Sequence, residues 1–451
     1  MGTPLRTIVP RTFTLLAIAL TLCGAWGDAR ALVTFTGLGH APGALTSRAY
    51  AISSDGSVVV GSGYLPNSAL SGFRWSAASG LATVSGLTQA TIAYSVSGDG
   101  AIVGGYTESL IDAKAYVWTP SAGATLLFSR GTLWSGSSDG SVFAGDEMDG
   151  GTHQHHAVRW SASGGMRSLE PHGVVLGYSR AFGVSGDGTK IVGDAVFPGF
   201  GYTRAFLWTD AAGMVNIGST NPAIGSSRAD AISADGTTVV GTAQAGPTGN
   251  TVAFRWTAAG GMQGLADFTV NSEALGVSAD GGTIVGTRGG EAFVWRADLG
   301  LVPLATLLGD AAAGWHLTEA RAVSADGSVI AGSGTNPSGQ TEAWRAELPL
   351  AIAGVEPGAG ASFAVRAFPN PAHGDVVVRA SGMREATGEA TILDVSGRVV
   401  RVLPSAAAAT GDATWRWDGR ANDGRAVAPG VYLVRVRSGG DARVTRLLRV
   451  E

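Results

Sequence analysis

Cysteine is almost missing from this chain: Cys23 is the only one in 451 residues. If the N-terminal segment is removed, no thiol remains. Structural disulfides, cysteine zinc sites and thiol nucleophiles are then excluded. Lysine is nearly absent as well, with Lys114 and Lys190 alone. Charged residues make up 15% of the chain, against roughly a quarter in ordinary soluble domains. Neither sign dominates, with 31 basic against 35 acidic residues. A nucleic-acid binder gathers a basic excess on one face, and no such excess exists here. Beyond the N-terminus no stretch is apolar for the ~18 residues a membrane helix needs. The chain also lacks a P-loop and an H-E-x-x-H pair, and neither motif is there to name a reaction.

Glycine is abundant instead, at 69 residues, and apolar residues reach 45%. Glycine with Ser, Thr and Val around it indicates short strands and tight turns, and the apolar share suffices for a sizeable core. At the N-terminus, Arg6 and Arg11 precede the apolar stretch Phe13 to Leu22, and Ala29-Arg30-Ala31 follows. This order predicts a secretory signal over residues 1–31, cut after Ala31. A lipoprotein signal using Cys23 is the alternative. Leu22 precedes that cysteine where a small residue is wanted.

The strongest pattern is a repeat. Ser-x-Asp-Gly recurs with its aspartate at Asp55, Asp99, Asp139, Asp187, Asp235, Asp280 and Asp326, at spacings of 44, 40, 48, 48, 45 and 46. A tryptophan follows each: Trp75, Trp118, Trp160, Trp208, Trp256, Trp295 and Trp344. Asp-Gly favours a tight turn because both residues tolerate positive φ. Each repeat reads as four strands: a short small-residued one, the turn, a β-branched strand, an aromatic strand, then a run after a Gly-rich turn. Four strands per ~45 residues is the blade unit of a β-propeller. The tryptophans are expected at one strand position as blade core, with a carbohydrate-binding stripe as the sharper alternative. After Trp344 no fourth strand is evident. The segment from Leu32 to Leu38 is the spare strand expected to complete the last blade. The expectation is an all-β fold with a seven-bladed propeller over residues 32–348. An open solenoid, which would need capping repeats, is the alternative.

The pattern Ala253-Phe254-Arg255-Trp256-Thr257, Gly260-Gly261-Met262 and Ala274 to Gly286 resembles the HAF-type probable extracellular repeat of bacteria. That resemblance implies an exported propeller and no established reaction.

Residues 349–361 read as a Pro/Gly/Ala linker. Seven short alternating runs over residues 362–451 then give the strand pattern of an immunoglobulin-like sandwich. The carrying residues here are Phe368-Pro369-Asn370-Pro371, Leu393 to Arg398, Trp417 to Arg425 and Ala428-Pro429-Gly430-Val431-Tyr432. They resemble the Ig-like domain of the flagellar hook-capping protein and the C-terminal sorting domain of type IX secretion substrates. The tail departs from the latter in carrying Arg443, Arg446 and Arg449 where lysines are common.

Three constellations bear on function. The repeat aspartates are either turn caps or calcium ligands, though the EF-hand order of ligands is missing. Asp146, Glu147 and Asp149 lie near His153, His155 and His156, a donor set that suits a metal. Loop polarity explains it equally well. Arg48, Arg180 and Arg228 precede equivalent first strands, with Glu273 and Glu319 at the same position in two more. Arginine trios clamp carboxylates in sialidase-type propellers; an ion-pair ring between neighbouring blades is the other reading. No catalytic, cofactor or metal residue is assigned. The expected function is an exported noncatalytic binding or adhesion module at the bacterial surface, carried by a C-terminal sorting or anchoring domain. Its partners would be a surface ligand, protein or glycan, and the export machinery. A glycan hydrolase or lyase using the channel is the alternative, and a purely structural surface protein a third.

Overall fold

The structure is a computed structural model. It describes residues 33–348 and 364–449, apart from 85, 88, 109–111, 171–176, 221–224, 245–248, 267–268, 298, 369–371, 373, 382, 384–386, 395–398, 408–411, 429 and 439–440. The expected signal, the linker and the Pro369–Pro371 motif lie outside the described residues.

Each repeat is built on the Ser-x-Asp-Gly turn. In the first, the Ser53 hydroxyl donates to Asp55 Oδ1 at 2.6 Å, and the same carboxylate oxygen accepts the Ser57 N–H. Ser53 Oγ in turn accepts the Val58 N–H at 2.9 Å. Gly56 sits at φ +73, where a Cβ is disfavoured. The serine–aspartate bond forms in all seven repeats. One oxygen of each aspartate and the serine hydroxyl are therefore turned onto the turn's own donors.

The turn joins a first strand to a β-branched second strand, and two more strands follow. Among the described residues this produces seven four-stranded antiparallel sheets, sheets 1 to 7 in order of their first strands. Those begin at Arg48, Thr91, Gly131, Ser179, Ser227, Ser272 and His316. Each sheet packs on the next, and sheet 7 packs on sheet 1, the circular arrangement of a β-propeller. Sheet 7 takes its outer strand from the other end of the chain. Thr34–Gly37 pairs with the strand Thr341–Glu347, with Gly37 opposite Trp344. Phe35 lies 5.0 Å from the Trp315 ring and 5.9 Å from that of Trp344. A short helix, Leu304–Leu308, and a 3-10 turn, Gly309–Ala312, add Leu304 and Leu308 to the same cluster.

A second closure runs round the axis. The turns bond to one another in sequence, through the x residue in all but the fifth: Ser54 N–H to Gly98 O, Gly98 to Ser138, Ser138 to Gly186, Gly186 to Ala234. Asp235 donates to Ala279, Ala279 to Ala325, and Ala325 back to Ser54, with all seven bonds between 2.7 and 3.1 Å. This explains why x is Ser, Gly or Ala throughout. A Cβ on Gly98 would come within 2.6 Å of Ser54 Oγ and within 3.0 Å of Ser138 O.

The tryptophan expectation needs correction. Six of the seven share one position, facing an apolar residue of the second strand, as Trp75 faces Val59 and Trp160 faces Phe143. Trp344 instead faces Gly332, the place held by Phe73, Tyr116, Phe206, Phe254 and Phe293 in other sheets. Those residues, at 0–1% exposure, are the blade core, because the glycine opposite each leaves room for a ring. At the common position only Trp208 is fully buried, and the others are half-buried.

The C-terminal strands form two sheets. One holds Ala364–Phe368, Val376–Ser381 and Ala413–Trp417; the other holds Val399–Ala407, Thr387–Asp394, Gly430–Ser438 and Asp441–Arg449. Trp415, Trp417, Ile392, Val434 and Leu447 fill the space between them.

Candidate functional site

Every first strand of the propeller carries a β-bulge at the same point. In sheet 1, Ala49 faces Gly61 and Ala51 faces Val60, so Tyr50 has no partner. The unpaired residues of the next three sheets are Tyr94, Trp134 and Phe182. Sheets 5, 6 and 7 contribute Asp230, Leu275 and Arg321. A bulge re-aims its side chain, and these seven line one cavity of about 230 Å³ on the axis. Its other end is lined by the ring of turns, including Ser54, Gly98 and Ser138.

The cavity wall is divided. Sheets 1 to 4 form an aromatic arc: Tyr50 stacks on Tyr94 at 4.3 Å, Tyr94 meets Trp134 edge-on at 4.6 Å, and Trp134 lies 5.8 Å from Phe182. Tyr106, from the second strand of sheet 2, stacks behind Tyr94. Sheets 5 and 7 form a charged arc. Burial pushes the Asp230 carboxyl up to about 6, against the pull of Arg228, whose Nε donates to it at 2.7 Å. Burial also pushes the Tyr106 phenol up to about 12 and raises that of Tyr94 further. Both phenols stay protonated, the opposite of what a phenolate nucleophile requires.

The arginine and glutamate positions identified in the sequence sit two residues before the bulge and form the rim. Arg48 reaches Glu319 of sheet 7 at 3.7 Å, and Arg321 meets the same carboxylate at 3.6 Å. Arg228 bridges Asp230 and, at 3.7 Å, Glu273 of sheet 6. Arg180 pairs with buried Asp194 in its own sheet at 3.4 Å. The three arginines are thus each held by a carboxylate and do not converge as a bare clamp. Burial raises the Asp194 carboxyl, with Arg180 opposing.

The histidine cluster separates. His155 and His156 are neighbours on one strand and so face opposite sides. His155 Nδ1 lies 2.6 Å from Asp146 Oδ2, and His156 Nδ1 lies 3.0 Å from Glu170. Asp149 caps its own loop through the Gly151 N–H, and His153 sits at positive φ in that loop. Among the described residues no group of three such side chains is placed to hold a metal. Asp146 has another task. Buried, it also accepts from Thr132 Oγ1 at 2.7 Å and from the Trp134 indole N–H. It thereby fixes the central aromatic of the cavity and raises the His155 imidazole.

Sequence reasoning found the rim and missed the bulge residues. A signal was present: between an almost invariant alanine and a small residue, the bulge position alone ranges over Tyr, Trp, Phe, Asp, Leu and Arg.

In the C-terminal sandwich the Tyr432 hydroxyl donates to Ala428 O at 2.7 Å, and Trp417 Nε1 to Arg420 O at 2.8 Å. These bonds tie down the two loops that carry its sequence signature. Residues 377–441 match the FlgD Ig-like domain. The rest of the FlgD-type sandwich, residues 364–376 and 442–449, continues the same two sheets.

For the propeller the comparisons are structural. TolB from Acinetobacter baumannii is similar at 12% identity and TM-score 0.40, over 54% of this chain and 62% of that chain, less than two thirds of its length. The β-propeller domain of the Trilobed protease from Pyrococcus furiosus is similar at 10% identity and TM-score 0.47, over 70% of this chain and 99% of that one. A puromycin hydrolase is similar at 13% identity and TM-score 0.46, over 75% and 59%. These are likenesses of architecture alone. No curated protein was found to match the chain. Among the described residues no helix is long and apolar enough to cross a membrane.

Proposed function

We propose that the protein is an exported, noncatalytic binding module whose ligand enters the axial cavity, and that the FlgD-type domain serves sorting or anchoring. The observation that carries the binding reading is the set of seven bulges. One structural device, repeated in every sheet, delivers six kinds of side chain to one cavity, while the flanking positions stay small in every sheet but the third, which has Leu133. Repetition builds the scaffold, and variation is confined to the position facing a ligand. The likeness of the repeats to a probable extracellular family supports export, as does the likeness of the C-terminal residues to sorting domains.

Ligand binding is tested by titrating the full chain with candidate ligands while following tryptophan fluorescence. Trp134 in the cavity should respond, and the response should vanish in Trp134→Phe. A signal unchanged by that substitution would locate binding elsewhere. Sorting is tested by fractionating the native host expressing the chain without residues 362–451. The truncated propeller should remain folded and inside the outer membrane. Its appearance outside at the full-length level would make the domain a spacer.

A further inference from the structure

We infer that the cavity takes a neutral, polyhydroxylated ring, a sugar unit of an uncharged glycan. This rests on the binding reading above and adds the chemical class of the ligand.

Two observations converge. The first is that no guanidinium of the rim stands alone. Arg48 and Arg321 share Glu319, Arg228 holds Asp230 and Glu273, and Arg180 holds Asp194. A site for an anion keeps its arginines uncommitted so that they close on the ligand. Here an anion would have to displace a carboxylate already in place. Paired guanidinium and carboxylate instead present donors beside acceptors with little net charge. Hydroxyl groups, which both donate and accept, complement that array.

The second is that the aromatic faces do not form an empty cation cage. The Arg321 guanidinium lies 5.3 Å from the Tyr50 centroid, and those of Arg180 and Arg228 lie 4.8 and 5.7 Å from Phe182. A ligand cation would compete with residents for those faces. What the arc offers is an apolar wall, suited to the C–H face of a sugar ring, opposite the polar arc of Asp230 and Arg321.

The test uses the full chain and saturation-transfer NMR with four probe classes. These are neutral gluco-, galacto- and manno-oligosaccharides; oligogalacturonate and sialyllactose as acidic glycans; choline as a cation; and short neutral peptides. A neutral oligosaccharide is expected to bind. Asp230→Asn and Arg321→Gln should each weaken it about tenfold or more. Arg167→Gln, on an outer strand and exposed, should leave it unchanged. Thermal melts establish that the variants are folded, and Phe182→Leu, which keeps the site apolar but removes the ring, gives a second test of the aromatic wall. Binding of an acidic glycan or choline in preference to neutral sugars overturns this inference and leaves the binding reading standing. Neutral-sugar binding that ignores all three cavity substitutions also overturns it. If no probe of any class binds, the binding reading falls and this inference with it.

Discussion

Asp139 accepts hydrogen bonds from Ser137 and Ser141, and they hold its carboxyl down at about 2. Asp55, Asp99, Asp187, Asp235 and Asp326 are lowered in the same way. A carboxyl depressed in the folded state adds stability above its unfolded pKa of ~3.9, and that stability is lost as pH falls through the folded value. The melting temperature should therefore drop steeply between about pH 4 and pH 2, because several turns lose their bonds together. Asp139→Ala should cost about 0.5–1 kcal/mol at neutral pH, the turn being exposed and screened, and should flatten part of that acid limb. His155 carries the opposite sign. Asp146 raises its imidazole, so its contribution is present below ~6.5 and fades as pH rises through the folded value. In Asp146→Asn the His155 ring should titrate nearer 6.5 by NMR, and Trp134 should lose its fixed environment. An unmoved His155 titration would remove Asp146 from that role. The turn chemistry was legible in the sequence because Ser-x-Asp-Gly acts within six residues. The Asp146 network was not, since its partners Thr132, Trp134 and His155 meet only across three paired strands.

The repeated first-strand bulge depends on the glycine opposite it. Any Cβ on Gly193 would run into the Arg180 carbonyl and crowd Phe206. Gly61, Gly241 and Gly332 stand in the same relation to Arg48, Arg228 and Glu319. Gly193→Ala is therefore expected to destabilise by about 1–3 kcal/mol, as overpacked cores do. Gly201→Ala, with open space around it, should be close to neutral, and denaturant melts separate the two. Equal effects would mean that the bulge tolerates a side chain. Strand number and order per repeat were legible because turn chemistry and alternation are local. The bulge was not, since a one-residue slip leaves composition unchanged while redirecting a side chain. The same blindness placed Trp344 with the other tryptophans. Spacing from the turn does not reveal that it faces Gly332 while Ala346 takes the usual tryptophan place opposite Ile330.

The propeller is held shut where the chain is farthest from itself. Removing residues 33–38 would strip Thr34–Gly37 from its partner strand and take Phe35 from Trp315 and Trp344. The exposed edge should lower the melting temperature and produce oligomers in size-exclusion chromatography. A monomer with unchanged melting would show the strand to be dispensable. The FlgD-type sandwich has its own core round Trp415 and Trp417. Fragment 362–451 should accordingly melt cooperatively by itself. The ring of turns has a further consequence for how the molecule opens. Its bond from Ala325 N–H to Ser54 O joins the seventh repeat to the first, and no sheet can leave without severing the ring on both sides. Local fraying, which normally lets amides trade their protons one at a time, has no free end here from which to start. The seven ring amides should exchange with deuterium as one slow group, at a rate set by opening of the whole circle.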